Sequence, residues 1–390
     1  MPDSLTEYSS NSIFGRLGNA IKGVLFGIVL IPVAVVLLSW NEGRAIKTAE
    51  SLKEGASAVV SLAADTVQPA YENKLIHLTG DAATADTVTD PMFAVSAIAI
   101  RLTRTPEIYQ WKEEKHSETH STLGGGSQTQ TTYTYKKVWS GTPIRSGDFK
   151  IPQEHQNPDT MIAPPATVIA EHVTLGAFRL PRDIIQKMKG DQPVALTDTD
   201  AGKLPTGLRT RAKCLGDEFY FGANPEAPAI GDQRVKFTQL KPATFSILAR
   251  QTGETLDPFP TKAGREIERV ESGSVPAGAM FQHAENENAI LTWVLRAVGT
   301  LLMALGIGML LNPFSTIASV IPFFGDIVGA GTAFAAIVLA MVASFVVIAV
   351  AWFAVRPLLT GALVAGAIVV FLLGRTIVGK KQAQGISIAR

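Results

Sequence analysis

The side chains best suited to chemistry in this sequence are two histidines four residues apart. On a helix, His116 and His120 would share one face, as zinc ligands do. The surrounding sequence instead predicts a β-hairpin, in which the two side chains share a sheet face about 13 Å apart, too far to share a metal. The remaining histidines are isolated, which is typical of solvated or hydrogen-bonded structural side chains; they are His77, His155, His172 and His283.

The motifs of the common catalytic and cofactor-binding sites do not occur. There is no G-x-S-x-G nucleophile turn, no phosphate-binding G-x-x-x-x-G-K-[ST] and no G-x-G-x-x-G. Cys214 is the single cysteine, so an intrachain disulfide and a cysteine-based metal site are excluded. The net charge of +1, without a basic face, gives no reason to expect nucleic acid. The sequence therefore predicts no catalytic residue, no cofactor and no metal.

Charged residues next to long apolar runs are the stronger candidates. Arg296 lies inside such a run, where a buried arginine is costly, and we expect its side chain to extend to the outer membrane interface. Asp326 directly precedes another run and is expected to be the N-cap of a helix opening at Ile327. Arg356 falls in an outer turn. All three are membrane candidates, not catalytic ones.

Two pairs of small residues, Gly23/Gly27 and Ala304/Gly308, have the i, i+4 spacing that lets membrane helices approach closely. Because four helices offer more such faces than one bundle is expected to use, we predict a homo-oligomer that assembles through them. Besides further copies of itself, the chain is expected to contact the lipid bilayer and other membrane proteins.

The apolar runs predict four transmembrane helices, since each approaches the roughly 20 residues needed to cross about 30 Å of hydrocarbon. With 46% hydrophobic and 18% charged residues, the chain is too apolar to be wholly soluble. We predict an α-helical integral membrane protein with a large β-rich α+β extracytoplasmic domain. The predicted segments are a cytoplasmic tail (1–22), helix 1 (23–40), the extracytoplasmic domain (41–289), helix 2 (290–311), a cytoplasmic interfacial insert (312–326), helix 3 (327–353), helix 4 (358–378) and a cytoplasmic tail (379–390).

Orientation follows from the basic residues of the C-terminal tail, which carries no acidic residue and is therefore assigned to the cytoplasm. Four spans then place the N-terminus there too. The domain would lie in the periplasm of a bacterium, or in the lumen of the endoplasmic reticulum and nuclear envelope of a eukaryote. Trp40, Trp293 and Trp352 would all lie at the outer interface, where such rings collect.

Alternating tyrosines and tryptophans on both sides of LGGGSQ predict a long hairpin over residues 106–140, with a solvated, mobile tip. The insert 312–326 carries apolar residues at helical spacing, which suits a helix lying in the cytoplasmic leaflet and ending at Pro322. A re-entrant connection is the alternative for this insert.

Several stretches resemble the transmembrane protein 43 (LUMA) family, in the family's order along the chain. They are WNEGRAIKTAESLKEG (40–55), YQWKEE (109–114), GDQRVKF (231–237), ILARQTGETLDPFPTKAG (247–264), LRAVG (295–299) and RPL (356–358). The resemblance implies a four-span protein of the endoplasmic reticulum and inner nuclear membrane in animals, with relatives in bacteria. It also implies a role in organising membrane protein complexes and no established catalytic activity. The animal partners, lamins and emerin, would not carry over to a bacterial-type member.

Three hypotheses for the function follow. The first is a non-enzymatic membrane scaffold that organises membrane protein complexes or envelope structure. The second is a lipid-handling or envelope-maintenance factor, in which Arg296 and the insert contact head groups. The third is a membrane-bound enzyme of unrecognised type, which a cavity lined by convergent titratable groups would favour.

Overall fold

The computed structural model describes residues 4–355 as two compact units. The first is the β-rich domain, formed by residues up to Ser9, Ser51–His120 and Gln128–Glu285. The second is helical and contains Ser10–Glu50, Ser121–Ser127 and the residues from Asn286 onward. The predicted helix 4 (358–378), the tail 379–390 and Arg356 lie outside the described residues.

The helices differ widely in length. They are α1 (Ile13–Ala58), α2 (Arg182–Lys187), α3 (Asp198–Lys203), α4 (Thr206–Arg209), α5 (Ala277–Ala318) and α6 (Pro322–Val355).

Three of these helices, α1, α5 and α6, are long and apolar enough to cross a membrane. They contain the predicted spans 23–40, 290–311 and 327–353, and they are 46, 42 and 34 residues long. Within the described residues the protein is therefore a three-span membrane protein with a large β-rich domain. Helix α1 exceeds the membrane requirement of about 20 residues because the polar sequence after Trp40 consists largely of Ala, Glu, Lys and Leu, which favour helix.

The strands belong mainly to the β-rich domain. They are β1 (Ser4–Asn11), β2 (Val60–Ala63), β3 (Leu75–Ala83), β4 (Thr87–Thr89), β5 (Ser96–Ile98), β6 (Arg101–Ser121), β7 (Ser127–Ser140), β8 (Ala166–Ile169), β9 (Thr174–Leu175), β10 (Phe178–Arg179), β11 (Gln192–Pro193), β12 (Ala212–Leu215), β13 (Glu218–Phe221), β14 (Gln233–Leu240), β15 (Ala243–Thr252), β16 (Thr255–Asp257), β17 (Phe259–Pro260), β18 (Glu266–Ile267) and β19 (Arg269–Ser272).

Two large sheets form the domain. The 8-stranded sheet has the order β1-β7-β6-β14-β13-β12, with β8 also paired to β6 and β11 to β14. The 7-stranded sheet has the order β19-β15-β16-β10-β9-β3-β2, closed by an additional β15–β3 pairing. Strands β6 and β7 form the long hairpin.

Aromatic side chains fill much of the core between these strands. Phe93 packs against Phe219 and Phe237 with ring centroids 6.1 and 5.7 Å away. Beside them Arg104 forms a buried ion pair with Asp90, at 2.7 and 2.8 Å to the two carboxylate oxygens. Since both side chains are almost fully buried, this pair is a structural contact of the core.

The N-terminus does not form the separate polar tail predicted for residues 1–22. Ser4–Asn11 forms β1 and pairs with β7 at the edge of the larger sheet, and α1 begins at Ile13. The hydroxyls of Thr6 and Thr132 lie 3.3 Å apart across this pairing. The sequence analysis did not find this strand, because a short polar segment forms a strand only where the free edge of a long hairpin is available to pair with it.

The hairpin tip makes contacts that the sequence analysis did not predict. In the helical unit, Arg16 donates to the carbonyls of Gly125 and Gly126 at 2.8 and 3.0 Å, and Gly124 N donates to the Val320 carbonyl at 3.3 Å. Gly125 has φ +78°, and a Cβ there would come within 2.6 Å of Ile13, so the contact requires glycine. The tip therefore lies beside residues that the sequence assigned to the opposite side of the membrane.

The insert 312–326 is not the separate interfacial helix that the sequence predicts. Helix α5 continues through Pro313 to Ala318, a short turn follows, and Pro322 is the first residue of α6. Proline is well tolerated in the first turn of a helix, where its missing N–H has no partner to lose. Pro322 is therefore the first residue of a helix, whereas the sequence analysis predicted that a helix ends at this residue.

Candidate functional site

The strongest polar cluster of the helical unit joins α1, α5 and α6 at one end. Glu42 is buried, with 1% of its surface exposed. Arg296 donates from Nε and Nη2 to its two carboxylate oxygens at 2.7 and 2.8 Å. Trp352 Nε1 donates to Glu42 Oε2 at 2.7 Å. One carboxylate thus binds side chains from two other helices. A guanidinium that donates two parallel hydrogen bonds to a carboxylate is among the strongest side-chain interactions.

This geometry gives Arg296 a partner that the sequence analysis did not predict. The arginine is neutralised by Glu42, and its guanidinium carbon also lies 4.8 Å from the centre of the Trp293 ring. Sequence reasoning did not single out Glu42. The available signal was its position directly after the run 23–40, at the same end of the bundle as Arg296.

A second set of hydrogen bonds continues from this cluster. Arg44 donates to Asn288 Oδ1 and to Thr292 Oγ1, both at 2.8 Å. Asn41 Nδ2 donates to the Thr292 carbonyl at 3.1 Å, and Asn288 Nδ2 donates to the Ala45 carbonyl at 3.0 Å. The side chains of α1 and α5 therefore satisfy one another where polar groups would be costly to leave unpaired.

A cavity of about 290 Å³ opens beside Arg296, between α5 and α6. Its lining is mostly apolar, with Arg296 and two hydroxyls as the polar groups. The lining residues are Trp293, Arg296, Ala297, Thr300, Met341, Ser344, Phe345 and Ile348. A mostly apolar cavity with a few fixed polar groups is the usual form of a small-molecule site.

The small-residue pairs have unequal surroundings. A Cβ on Gly27 would lie 2.7 Å from the Gly306 carbonyl, so α1 and α5 of one chain meet at this point. A Cβ on Gly23 would meet no described atom within 4 Å, and one on Gly308 would meet only Ala336, at 3.9 Å. Ala304 is partly buried against the small core of Ala34, Met303 and Ala340. Gly27 therefore serves packing within the chain.

Asp326 is not the N-cap that the sequence predicts. Because α6 begins at Pro322, Asp326 lies in its second turn, where the side chain is exposed. A negative charge so close to a helix N-terminus still interacts favourably with the helix dipole. No ligand-binding role follows from its position.

The histidines are spread over the β-rich domain. His116 and His120 are exposed and both lie near Glu118, at 3.2 and 3.9 Å. The described residues contain no group of three or more side chains placed to hold a metal ion.

His155 stacks on Tyr135 with ring centroids 3.5 Å apart. Burial, with the Glu113 carboxylate beside it, raises the pKa of Tyr135 to about 12. Burial also raises the pKa of the Cys214 thiol.

One pair in the β-rich domain has the chemistry of a nucleophile and a base. Ser61 Oγ lies 3.2 Å from His77 Nδ1, and His77 Nε2 lies 2.9 Å from the Val275 carbonyl. Since that carbonyl can only accept, Nε2 carries the proton and Nδ1 accepts from the serine. Burial lowers the pKa of His77. The two residues also face each other in the β2–β3 pairing, which is sufficient to explain the contact.

Three apolar membrane-length helices, joined by a buried polar cluster and attached to a two-sheet β domain, define a multi-pass integral membrane protein. Comparison with known proteins identifies it further. The profile described as "Transmembrane protein 43" matches residues 108–357, and the chain belongs to the transmembrane protein 43 family.

Relatives from animals match over most of the chain. Transmembrane protein 43 of Rattus norvegicus is 31% identical over 380 residues, covering 95% of this chain and 93% of its own. The Homo sapiens protein is 32% identical over 381 residues, with the same coverage. The Drosophila melanogaster homolog is 25% identical over 291 residues, covering 73% of this chain and 75% of its own. No solved structure matches the chain.

Proposed function

We propose that this protein is a non-enzymatic membrane scaffold that organises membrane protein complexes through its β-rich domain. The Glu42 contacts are the observation that carries this proposal. A single carboxylate accepts hydrogen bonds from Arg296 and Trp352, so the buried charge of Glu42 is used to hold α1, α5 and α6 together. Groups held in this way serve assembly, since a catalytic acid or base must be available to a substrate.

The charged groups of the β-rich domain support the same conclusion. Arg104 donates hydrogen bonds to Asp90 in an ion pair. Arg101 donates to the Ile185 and Met188 carbonyls at 3.0 and 2.9 Å. Arg101 also pairs with Asp191. These arginines hold the end of α2 and the core strands in place. They stabilise a domain whose surface is then available to other proteins.

The enzyme alternative depends on Ser61 and His77. The cavity between α5 and α6 does not border Ser61. We expect a fluorophosphonate probe to leave Ser61 unlabelled in the purified protein. The variant Ser61→Ala, which lacks the hydroxyl, is the negative control. Labelling of Ser61 that disappears on His77→Gln would favour an enzyme over a scaffold.

The scaffold is tested by crosslinking the full-length, tagged chain in its native membranes with an amine-reactive reagent. We expect a reproducible set of membrane proteins linked to exposed lysines of the β-rich domain, such as Lys136. Arg296→Ala, which removes the partner of Glu42, should reduce recovery of the set, and Asp326→Asn, at an exposed carboxylate, is the matched control that should leave it unchanged. A set no different from that of an unrelated tagged membrane protein would contradict the proposal.

The scaffold proposal includes two further expectations. The first is self-association through helix faces not used within the chain, for which Gly23 is the candidate because no described atom fills the space beside it. The second is orientation: the basic C-terminal tail lies in the cytoplasm, and the body of the β-rich domain lies on the other side. The positive-inside rule supports the first half of that assignment.

A further inference from the structure

We propose that the cavity between α5 and α6 binds a phospholipid of the surrounding bilayer, with one acyl chain between the helices and the glycerol-ester and phosphate oxygens toward Arg296. This inference does not depend on the scaffold role. The cavity is at the lower end of the roughly 300–1,000 Å³ range of small-molecule pockets, so it takes part of a lipid and leaves the rest in the bilayer.

An unpaired hydroxyl indicates that the occupant carries oxygen. Ser344 is buried, with 3% of its surface exposed, and its Oγ has no hydrogen-bond partner in the described part of the chain. The same residue lines the cavity. Leaving a buried hydroxyl unpaired is costly, and hydrocarbon alone would not satisfy it. An ester carbonyl would accept its proton.

The guanidinium of Arg296 offers the second polar contact. Its Nε and Nη2 are used by Glu42, and no described residue accepts a hydrogen bond from Nη1. The fork of an arginine has donors on two edges, so pairing on one edge leaves the other for an oxygen of a lipid. Phosphate and ester oxygens are suitable acceptors.

The depth of these groups distinguishes a phospholipid from other membrane molecules. Along α5, Thr300 is about 6 Å beyond Arg296, and along α6, Ser344 is about 12 Å from Trp352, at about 1.5 Å per residue. Trp293 and Trp352 mark the level at which tryptophans collect, near the head groups. Polar groups at two depths fit a phospholipid, whose phosphate and esters lie at different levels, better than a sterol with one hydroxyl.

Within the part of the chain that the structure describes, the cavity is open on one side. Three of its lining side chains, Trp293, Met341 and Phe345, are 67%, 43% and 69% exposed. An acyl chain therefore has a lateral entrance from the bilayer. No passage through the β-rich domain is needed.

The test uses the full-length protein in vesicles of phosphatidylethanolamine and phosphatidylglycerol, doped with phosphatidylethanolamine that carries a diazirine in its acyl chain. After irradiation we expect labelled peptides to cluster at residues 293–300 and 341–348. Ser344→Leu, which fills the cavity, should reduce this labelling to background, and Ser344→Ala should weaken it roughly three- to tenfold through loss of one hydrogen bond. Val346→Leu, at an exposed α6 position that does not line the cavity, is the matched control and should label as wild type.

Two results would overturn the proposal. One is labelling spread evenly along the exposed faces of α5 and α6 and unchanged by Ser344→Leu. The other is an intrachain crosslink from a photoreactive residue at Ala297 to residues 358–378 without lipid labelling, which would show that the chain covers its own cavity. Circular dichroism confirms that each variant is folded, and Ala297→Leu, at another residue that lines the cavity, replaces Ser344→Leu if that variant does not fold.

Discussion

Glu42 and Arg296 lie 254 positions apart in the sequence and form a bidentate ion pair, with the carboxylate almost completely buried. Each residue belongs to a different membrane helix. A buried pair of this kind adds little when compared with well-packed apolar residues, but removal of one partner leaves an uncompensated charge. Loss of either residue is therefore expected to destabilise the packing of both helices.

We predict that Glu42→Ala or Arg296→Ala alone lowers the free energy of unfolding of the helical unit by about 3–5 kcal/mol. The double substitution Glu42→Leu/Arg296→Met should recover much of that loss, because no charge remains buried. Unfolding in a series of mixed micelles measures the effect. Asp326→Asn, at an exposed carboxylate of α6, is the control and should change stability little. Additive losses in the double variant would show that the two residues are not coupled.

Gly23 and Gly27 should respond differently to the same change. Gly27→Leu forces a side chain against the Gly306 carbonyl, so we expect a loss of about 1–3 kcal/mol of stability in the chain itself. Gly23→Leu meets no described atom and should leave the fold intact while weakening self-association. Size measurement in nanodiscs with parallel thermal unfolding separates the two outcomes. A wild-type protein that remains monomeric at all concentrations would exclude the oligomer.

The β1–β7 pairing predicts a specific disulfide. In a Cys214→Ala background, Thr6→Cys with Thr132→Cys should crosslink readily under mild oxidation, since the two native hydroxyls are 3.3 Å apart. Thr6→Cys with Gln128→Cys is the control, because four residues along a strand add about 13 Å. Electrophoresis under non-reducing conditions after proteolysis between the two sites detects the bond. Equal crosslinking of both pairs would mean that the N-terminal segment is not held in register.

The contact between the hairpin tip and the α5–α6 turn leads to a labelling experiment. Leu123 is 88% exposed and Val320 is 46% exposed, and the adjoining Gly124 N donates to the Val320 carbonyl. Leu123→Cys and Val320→Cys should therefore react with a membrane-impermeant thiol reagent from the same side. Glu226→Cys reports the side of the domain body. Reaction of Leu123→Cys and Val320→Cys from opposite sides would contradict the contact between the hairpin tip and the α5–α6 turn.

Burial lowers the pKa of His77, which gives a pH dependence of known sign. The unfolded state takes up this proton near pH 6.5 and the folded state only at lower pH, so stability is complete above about pH 6.5 and falls as the pH decreases below it. His77→Gln should flatten the decrease in the unfolding temperature between about pH 7.5 and 5. His172→Gln, at an exposed histidine, should not. An unchanged slope in His77→Gln would assign the acid sensitivity to other groups.

Much of the helical unit could be predicted from the sequence, because an apolar run such as 23–40 has few ways to satisfy its backbone in lipid other than as a helix. The hairpin could be predicted because Tyr133, Tyr135 and Trp139 alternate with polar residues. The partner of Arg296 could not be found in this way. Pairing between residues as distant as Glu42 and Arg296 depends on how the helices pack, which local patterns do not encode.

The same limit applies to the edges of elements. Ser4–Asn11 has no strong strand pattern and becomes a strand because β7 offers it a partner. Pro322 has two local interpretations, as the end of one helix or the start of the next, and the turn at 319–321 decides between them. In both cases tertiary contacts select one of several locally acceptable conformations.

The Glu42–Trp352 hydrogen bond also sets an order of events during biosynthesis. The two residues are 310 positions apart, so at about 5–20 residues per second the ribosome needs roughly 15–60 s after making the carboxylate to supply its last donor. Helix α1 must enter the membrane long before that time. Until α5 and α6 follow, Glu42 has neither Arg296 nor Trp352, and the nascent chain is exposed to quality control with its most deeply buried acid still unpaired.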